Sequence, residues 1–248
     1  MKNLFKEAFQ YKETQCTIIA DKKQGIQTAI ESIKQNRKEL EEYMRVNPKF
    51  LYTLEPTPVL DGPFVAKVMA EAAEKANVGP MAAVAGVLAD LAVNDMTRDG
   101  CEVAVVENGG EVSVVSKGPI DVALSAGDTP LSKRFGFRLT DFPVGLATSS
   151  GRFSHAFSFG DAESATVFCR NAGLADAAAT AVGNVVKGID LGSAIQQGID
   201  KALSIQEVEG VLIMYQGHVG TAGKIPQIIK VAPEHLKARR KTSEGRFS

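Results

Sequence analysis

Tryptophan is absent from this 248-residue sequence, and aromatic residues make up only 6% of it. A core must then be filled by aliphatic side chains and close backbone contact, for which 23 glycines and several alanine-rich segments are suited. Cysteine is scarce as well. Cys16, Cys101 and Cys169 are far apart and odd in number, which excludes a disulfide framework and metal-knuckle spacing and points to a reducing interior. Neither sign of charge is in excess: 28 basic residues face 29 acidic ones, so no global field draws the chain to nucleic acid or to a membrane. No apolar run approaches a membrane span, and the opening residues lack an apolar core of signal-peptide length. The expectation is a soluble cytoplasmic protein, with a hydrophobic content of 44% that supports a substantial core.

What is present is regular. Tyr11 to Asp21 is rich in β-formers and reads as a strand. Ile26, Ile30, Ile33 and Leu40 recur among charges and predict an amphipathic helix from Gln24 to Tyr43, stopped at Asn47-Pro48. A proline-rich loop follows to Pro63, then a helix from Phe64 to Lys75. Gly79-Pro80 opens another helix. Two β-branched runs around Asn108-Gly109-Gly110 form the strongest short-range hairpin signal in the chain. Strand-like segments continue at Ile120 to Ser125, Phe142 to Thr148 and Ser164 to Cys169. An alanine-rich helix and a second one, Gly192 to Ile205, lead to a final strand pair joined through a Gly217 to Gly223 loop. This order predicts one α+β domain over residues 1–248, with helices on one face of an antiparallel sheet and a possible internal pseudo-duplication. Residues 1–10 and 236–248 read as mobile ends.

Four segments can carry chemistry. On the alanine-rich helix, Asp176 and Thr180 stand four positions apart on one face and offer oxygen ligands to a hard cation such as magnesium. The plain alternative is an acid favouring the helix dipole and a hydroxyl bonding back to the preceding turn. At Glu107 to Glu111, the missing side chains of Gly109 and Gly110 let a flat ligand or a phosphate approach the backbone, with Asn108 or Glu111 on its edge; Asn-Gly also simply suits a tight turn. Gly79 and Met81 begin a helix whose free N–H groups can hold an anion, while Ala82 and Gly86 suit close helix packing. Thr148, Ser149, Ser150, Gly151, Arg152 and His155 offer donors for phosphate or a ring carbonyl, and equally a hydroxyl-rich turn.

Taken in order, these segments resemble the ApbE-like superfamily, whose best-known members are FAD:protein FMN transferases. The corresponding residues are Val84-Ala-Gly86, Gly109-Gly-Glu111, Ser149-Ser-Gly151 and Ala175-Asp-Ala-Ala-Ala-Thr-Ala181. The sequence is still more similar to a UPF-type branch of that superfamily found in anaerobic prokaryotes. The resemblance implies a T-fold-like α+β architecture. It also implies magnesium at Asp176 and Thr180, and an FAD or FMN nucleotide cleft lined by Gly109, Gly110 and residues 149–151. Three family elements differ: Ser154 to Gly160 stands in place of the transferases' His-Ile-Leu-Asp-Pro-Arg-Thr-Gly loop, Glu111 in place of the Gly-Gly-Asp acid, and the aromatic of the helix motif is missing, which speaks against FMN transfer to a protein threonine. Three readings follow. The first is a magnesium-assisted flavin- or nucleotide-binding protein, transferase-like if it is an enzyme, with a homodimer as the expected assembly. The second is a non-catalytic accessory protein with a partner in sulfide assimilation and homocysteine biosynthesis, a role to which the branch has been linked. The third is a hydrolase using Ser154 and His155.

Overall fold

Ile26, Ile30, Ile33 and Leu40 are all buried along one helix, as their spacing requires. In this computed structural model, which describes residues 4–123, 135–149 and 162–231, the chain opens with β1 (Phe5–Tyr11) and β2 (Thr14–Ala20). Three helices follow, α1 (Lys23–Val46), α2 (Pro48–Tyr52) and α3 (Phe64–Ala76). After a 3-10 turn at Pro80–Ala83 come α4 (Val84–Arg98), β3 (Val103–Asn108), β4 (Glu111–Ser116) and β5 (Ile120–Ala123). The rest comprises β6 (Phe135–Leu139), β7 (Val144–Ser149), β8 (Ser164–Cys169), α5 (Ala172–Val185), α6 (Leu191–Ser204), β9 (Gly210–Tyr215), β10 (His218–Gly223) and β11 (Gln227–Lys230).

Among the described residues, eight strands form an antiparallel sheet in the order β1-β2-β3-β4-β7-β8-β9-β10, and β11-β6-β5 form a smaller one. In each half of the large sheet two strands precede the helices and two follow them. Helices α1, α4, α5 and α6 cover one face, with α3 packed outside α5. The small sheet covers the other. This makes an α+β fold with helices on one face of the main sheet, as expected, and adds a second sheet behind it.

Strand alternation sorts the core. On β8, Ala165, Val167 and Cys169 join the helix-side core, whereas Phe168 joins Phe137, Leu139, Val112, Leu146 and Leu212 between the sheets. All six β8 residues are buried, the hydroxyl residues Ser164 and Thr166 among them, so the strand has no solvent-facing side. None of the described helices is long and apolar enough by itself to cross a membrane.

Four local expectations are corrected. Residues 5–10, read as part of a mobile end, join Tyr11 in pairing along their whole length with β2, because the Lys12–Glu13 turn splits this stretch into a hairpin. The proline-rich loop begins with a helix, α2, for which Pro48 supplies the pre-set first position. The Gly217 to Gly223 loop is mostly β10, paired throughout with β9. The last strand, β11, leaves that hairpin to pair with β6 in the small sheet. Ser150, Gly151, Arg152, Ser154, His155 and the 236–248 tail lie outside the described residues.

Candidate functional site

The starts of α4 and α5 cross so closely that a Cβ on Gly86 would lie 2.2 Å from the Ala172 carbonyl oxygen. Only glycine permits that approach. Gly145 on β7 is subject to the same constraint, since its Cβ would lie 2.0 Å from the Asn171 carbonyl carbon. Two carboxylates bracket the crossing. Asp176 of α5 accepts the Gly86 N–H at 3.0 Å, capping α4. Asp90 of α4 accepts the Ala172 and Gly173 N–H groups at 2.9 and 2.8 Å, capping α5. Asn171 completes that cap by accepting the Leu174 N–H at 2.8 Å. Each helix thus lends the other an acid. Asp176 serves a neighbouring helix start rather than its own, an outcome neither sequence reading contained.

The β3–β4 bend closes over this junction. Gly109 and Gly110 adopt φ of 73° and 131°, the left-handed region that favours glycine. Buried Asn108 donates from Nδ2 to the Ala85 carbonyl at 3.0 Å, fixing the bend to the α4 start. Glu111 folds back so that a Cβ on Gly109 would sit 3.3 Å from its Oε2, while Gly110 borders open space. Two residues along the same strand face, Ser113 donates to Asp90 at 2.7 Å.

Three half-buried acids therefore share one junction. Burial pushes the Asp176 carboxyl up to about 7, against the pull of the Gly86 and Ala85 amides and with a further push from Asp90. Burial also holds Glu111 well above the ordinary carboxylate range, and the charge of Asp176 adds to it. Asp90 is raised by burial as well, despite its amide and Ser113 donors. Among the described residues, no three acid, histidine or cysteine side chains meet at metal-ligand spacing.

The structure thus brings Asp176, Asn108, Gly109, Gly110 and Glu111 together. Thr180 follows Asp176 one turn later on α5 and is half-buried. β4 pairs with β7 from Val112 opposite Leu146 to Val114 opposite Val144, and this ladder ends before the bend. Ser149 falls on the helix-facing side, with Gly145 and Ala147. Thr148 does not: its hydroxyl meets that of Thr166 at 2.9 Å on the opposite face. Gly79 and Met81 have packing roles. A Cβ on Gly79 would be 2.0 Å from the Thr53 carbonyl oxygen, and Met81 lies against the helix-side core. The free amides expected at that helix start belong to α4, three or more residues later, where Asp176 occupies them.

Asp90 and Ser113 were missed by sequence reasoning. A signal existed: Ala85-Gly-Val-Leu-Ala-Asp90 and Ala172-Gly-Leu-Ala-Asp176 open the two crossing helices with nearly the same string.

Other residue types able to do chemistry lie away from this junction. His218 is exposed on β10, beside the Gln216 carbonyl. Arg170 is engaged with Asp141 and Glu209, leaving Cys169 no activating cation. All three cysteines are buried and free. Burial pushes the Cys16 and Cys169 thiols up to about 12 and raises Cys101. Ellman's reagent is accordingly expected to label none of the three thiols in the native protein and all three in guanidinium. Prompt native labelling would contradict the burial.

Residues 3–220 match the family model described as AbpE bacteria. A UPF0280 protein of Methanococcus vannielii is 39% identical over 232 residues, 92% of this chain and 94% of that one. A UPF0280 protein of Methanothermobacter thermautotrophicus is 40% identical over 195 residues, covering 78% and 76%. Among solved structures, the apo flavinyl transferase ApbE of Pseudomonas stutzeri superposes with a TM-score of 0.60 at 12% identity, over 90% of this chain and 94% of that one. The ApbE protein of Thermotoga maritima gives 0.55 at 14% identity, over 94% and 99%. By sequence the chain belongs to the AbpE bacteria family, in its UPF0280 branch, and by architecture it shares the fold of the ApbE flavin transferases.

Proposed function

We propose that the α4–α5–bend junction is a magnesium-dependent cleft for a flavin nucleotide, FAD or FMN, or a related nucleotide phosphate. One observation carries this reading: both helix starts, the usual seats for a phosphate, are already capped by the chain's own carboxylates. The groups acting on Asp176 and Glu111 are other acids and backbone amides. A phosphate entering here meets carboxyl groups rather than basic side chains, and a divalent cation, which favours their ionised form, would reconcile the two.

The donor set fits such an ion. Asp176 and Glu111 would hold it through oxygen, with Thr180 one turn away. Two carboxylates leave positions for water and ligand phosphate, the arrangement magnesium favours. When bound, magnesium would neutralise a pyrophosphate and stabilise its leaving group. The chain's own residues do the rest. Asn108 fixes the bend, Gly110 leaves the approach open, and Ser149 ends neighbouring β7 on its helix-facing side. The flavin transferases among the structural neighbours support the ligand class, whereas the absent Asp-Pro-Arg-Thr-Gly loop argues against transfer onto a protein threonine. The buried thiols give no support to sulfur carried on this chain, so a role in sulfide assimilation would rest on a partner protein.

FAD titration followed by flavin fluorescence, with and without magnesium, tests the reading. Wild-type protein is expected to bind FAD saturably only with magnesium, and Asp176→Asn to lose at least about tenfold in affinity. AMP release in the same mixtures would show whether binding leads to chemistry. Binding indifferent to both magnesium and the substitution would overturn the proposal.

A further inference from the structure

Asp90 joins three elements through one carboxylate. Its Oδ1 accepts the Ser113 hydroxyl of β4 and the Ala172 N–H of α5, at 2.7 and 2.9 Å, and its Oδ2 accepts the Gly173 N–H at 2.8 Å. Ser113 is two residues from Glu111 on the same strand face, and Ala172 is four residues from Asp176 on the same helix. The backbones presenting the two cleft acids are thus tied to a single group.

We infer that Asp90 is a positioning residue, which sets the separation of Asp176 from Glu111 and thereby the grip of the cleft on a divalent cation. The inference rests on the proposed magnesium cleft. Three features make the tie rigid. The α4 and α5 backbones touch without an intervening side chain at Gly86. A Cβ on Gly173 would press on Val87 Cγ2 at 2.6 Å, so the second contact on that face is also spare of room. Finally, Asp176 returns a bond to Gly86, one turn before Asp90 on α4. Rotation of either helix breaks a carboxyl–amide hydrogen bond at each end. Groups that orient a metal-holding carboxylate commonly change metal affinity by about ten- to a hundredfold when replaced.

The test uses manganese as a spin-active probe of the magnesium site, with affinity measured by calorimetry and electron paramagnetic resonance well below the melting temperature. Wild-type protein is expected to bind the ion, and Asp176→Asn to lose it. Asp90→Asn, nearly isosteric, is expected to weaken binding by about tenfold or more, and Ser113→Ala, which cuts only the β4 tie, by a smaller factor. A merely structural role would lower the melting temperature of Asp90→Asn while leaving the affinity of the folded protein within about twofold. That result would overturn the inference and leave the cleft intact. If Asp90→Asn does not fold, Ser113→Ala decides, and unchanged affinity there overturns the inference as well. Failure of the wild type to bind manganese would overturn the cleft and the inference together.

Discussion

Gly86→Ala is expected to destabilise the protein by about 3 kcal/mol or more, at the upper end for overpacking. The added methyl would meet backbone on α5, at 2.2 Å from the Ala172 oxygen, 2.5 Å from its carbon and 2.8 Å from the Gly173 nitrogen. No rotamer change relieves a clash with main chain. Relief requires α4 to move away from α5, which stretches the Asp176–Gly86 bond and the Asp90 bonds to Ala172 and Gly173 together. Gly145→Ala is expected to behave alike, because its methyl would meet the Asn171–Ala172 peptide from the sheet side. Gly118→Ala is the control: nothing lies within 4 Å of its Cβ position, and its effect should stay within about 0.5 kcal/mol. Guanidinium midpoints of the three variants measure the difference. A Gly86→Ala midpoint matching that of Gly118→Ala would show that the helices do not touch.

The metal-free protein is expected to lose stability as pH rises from about 4 to about 7. Asp176 keeps its proton in the folded state to about 7, whereas in the unfolded chain it loses it near the ordinary value of about 4. Between these values the folded state binds more protons than the unfolded one, so each increase in pH favours unfolding. The stabilisation is complete below the lower value and gone above the higher one. Each pH unit of that window is worth about 1.4 kcal/mol, for a total on the order of 4 kcal/mol. Glu111, raised by burial and by Asp176, acts in the same direction. Thermal melts in chelator across this range should show the decline in wild type and a flatter profile in Asp176→Asn. Equal slopes in the two proteins would place the titration elsewhere. Magnesium, if it binds the ionised acids, should restore stability most strongly at the alkaline end.

Much of this was legible because the signals are local. The α1 stripe and the Asn-Gly-Gly hairpin each follow from neighbours within a few residues. Asp176 stood out for the same reason, as the acid in an alanine helix. Asp90 did not, since its partners Ala172 and Gly173 are 82 and 83 residues away. β10 was hidden by its glycines. Gly220 is there because a Cβ would meet Ile195 Cγ2 at 2.1 Å, and Gly223 because φ is 73°; neither reason shows in the sequence. The face taken by Thr148 depends on strand pairing, and a shift of one residue would have reversed it. The sheet membership of β11 is set by β6, nearly ninety residues earlier.

The two sides of the large sheet will respond differently to added volume. Towards the helices the filling is largely alanine, including Ala73, Ala76, Ala175, Ala177, Ala178 and Ala181. Spacing there is set by main chain against main chain, and one extra methyl is answered by the displacement of a whole helix. Towards the small sheet, Phe137 and Phe168 meet edge to face at 4.9 Å among leucines, valines and a methionine. A change on that side can be absorbed by one side chain turning. Variation should therefore gather between the sheets, while the alanine compartment, which aims the acids, stays nearly incompressible.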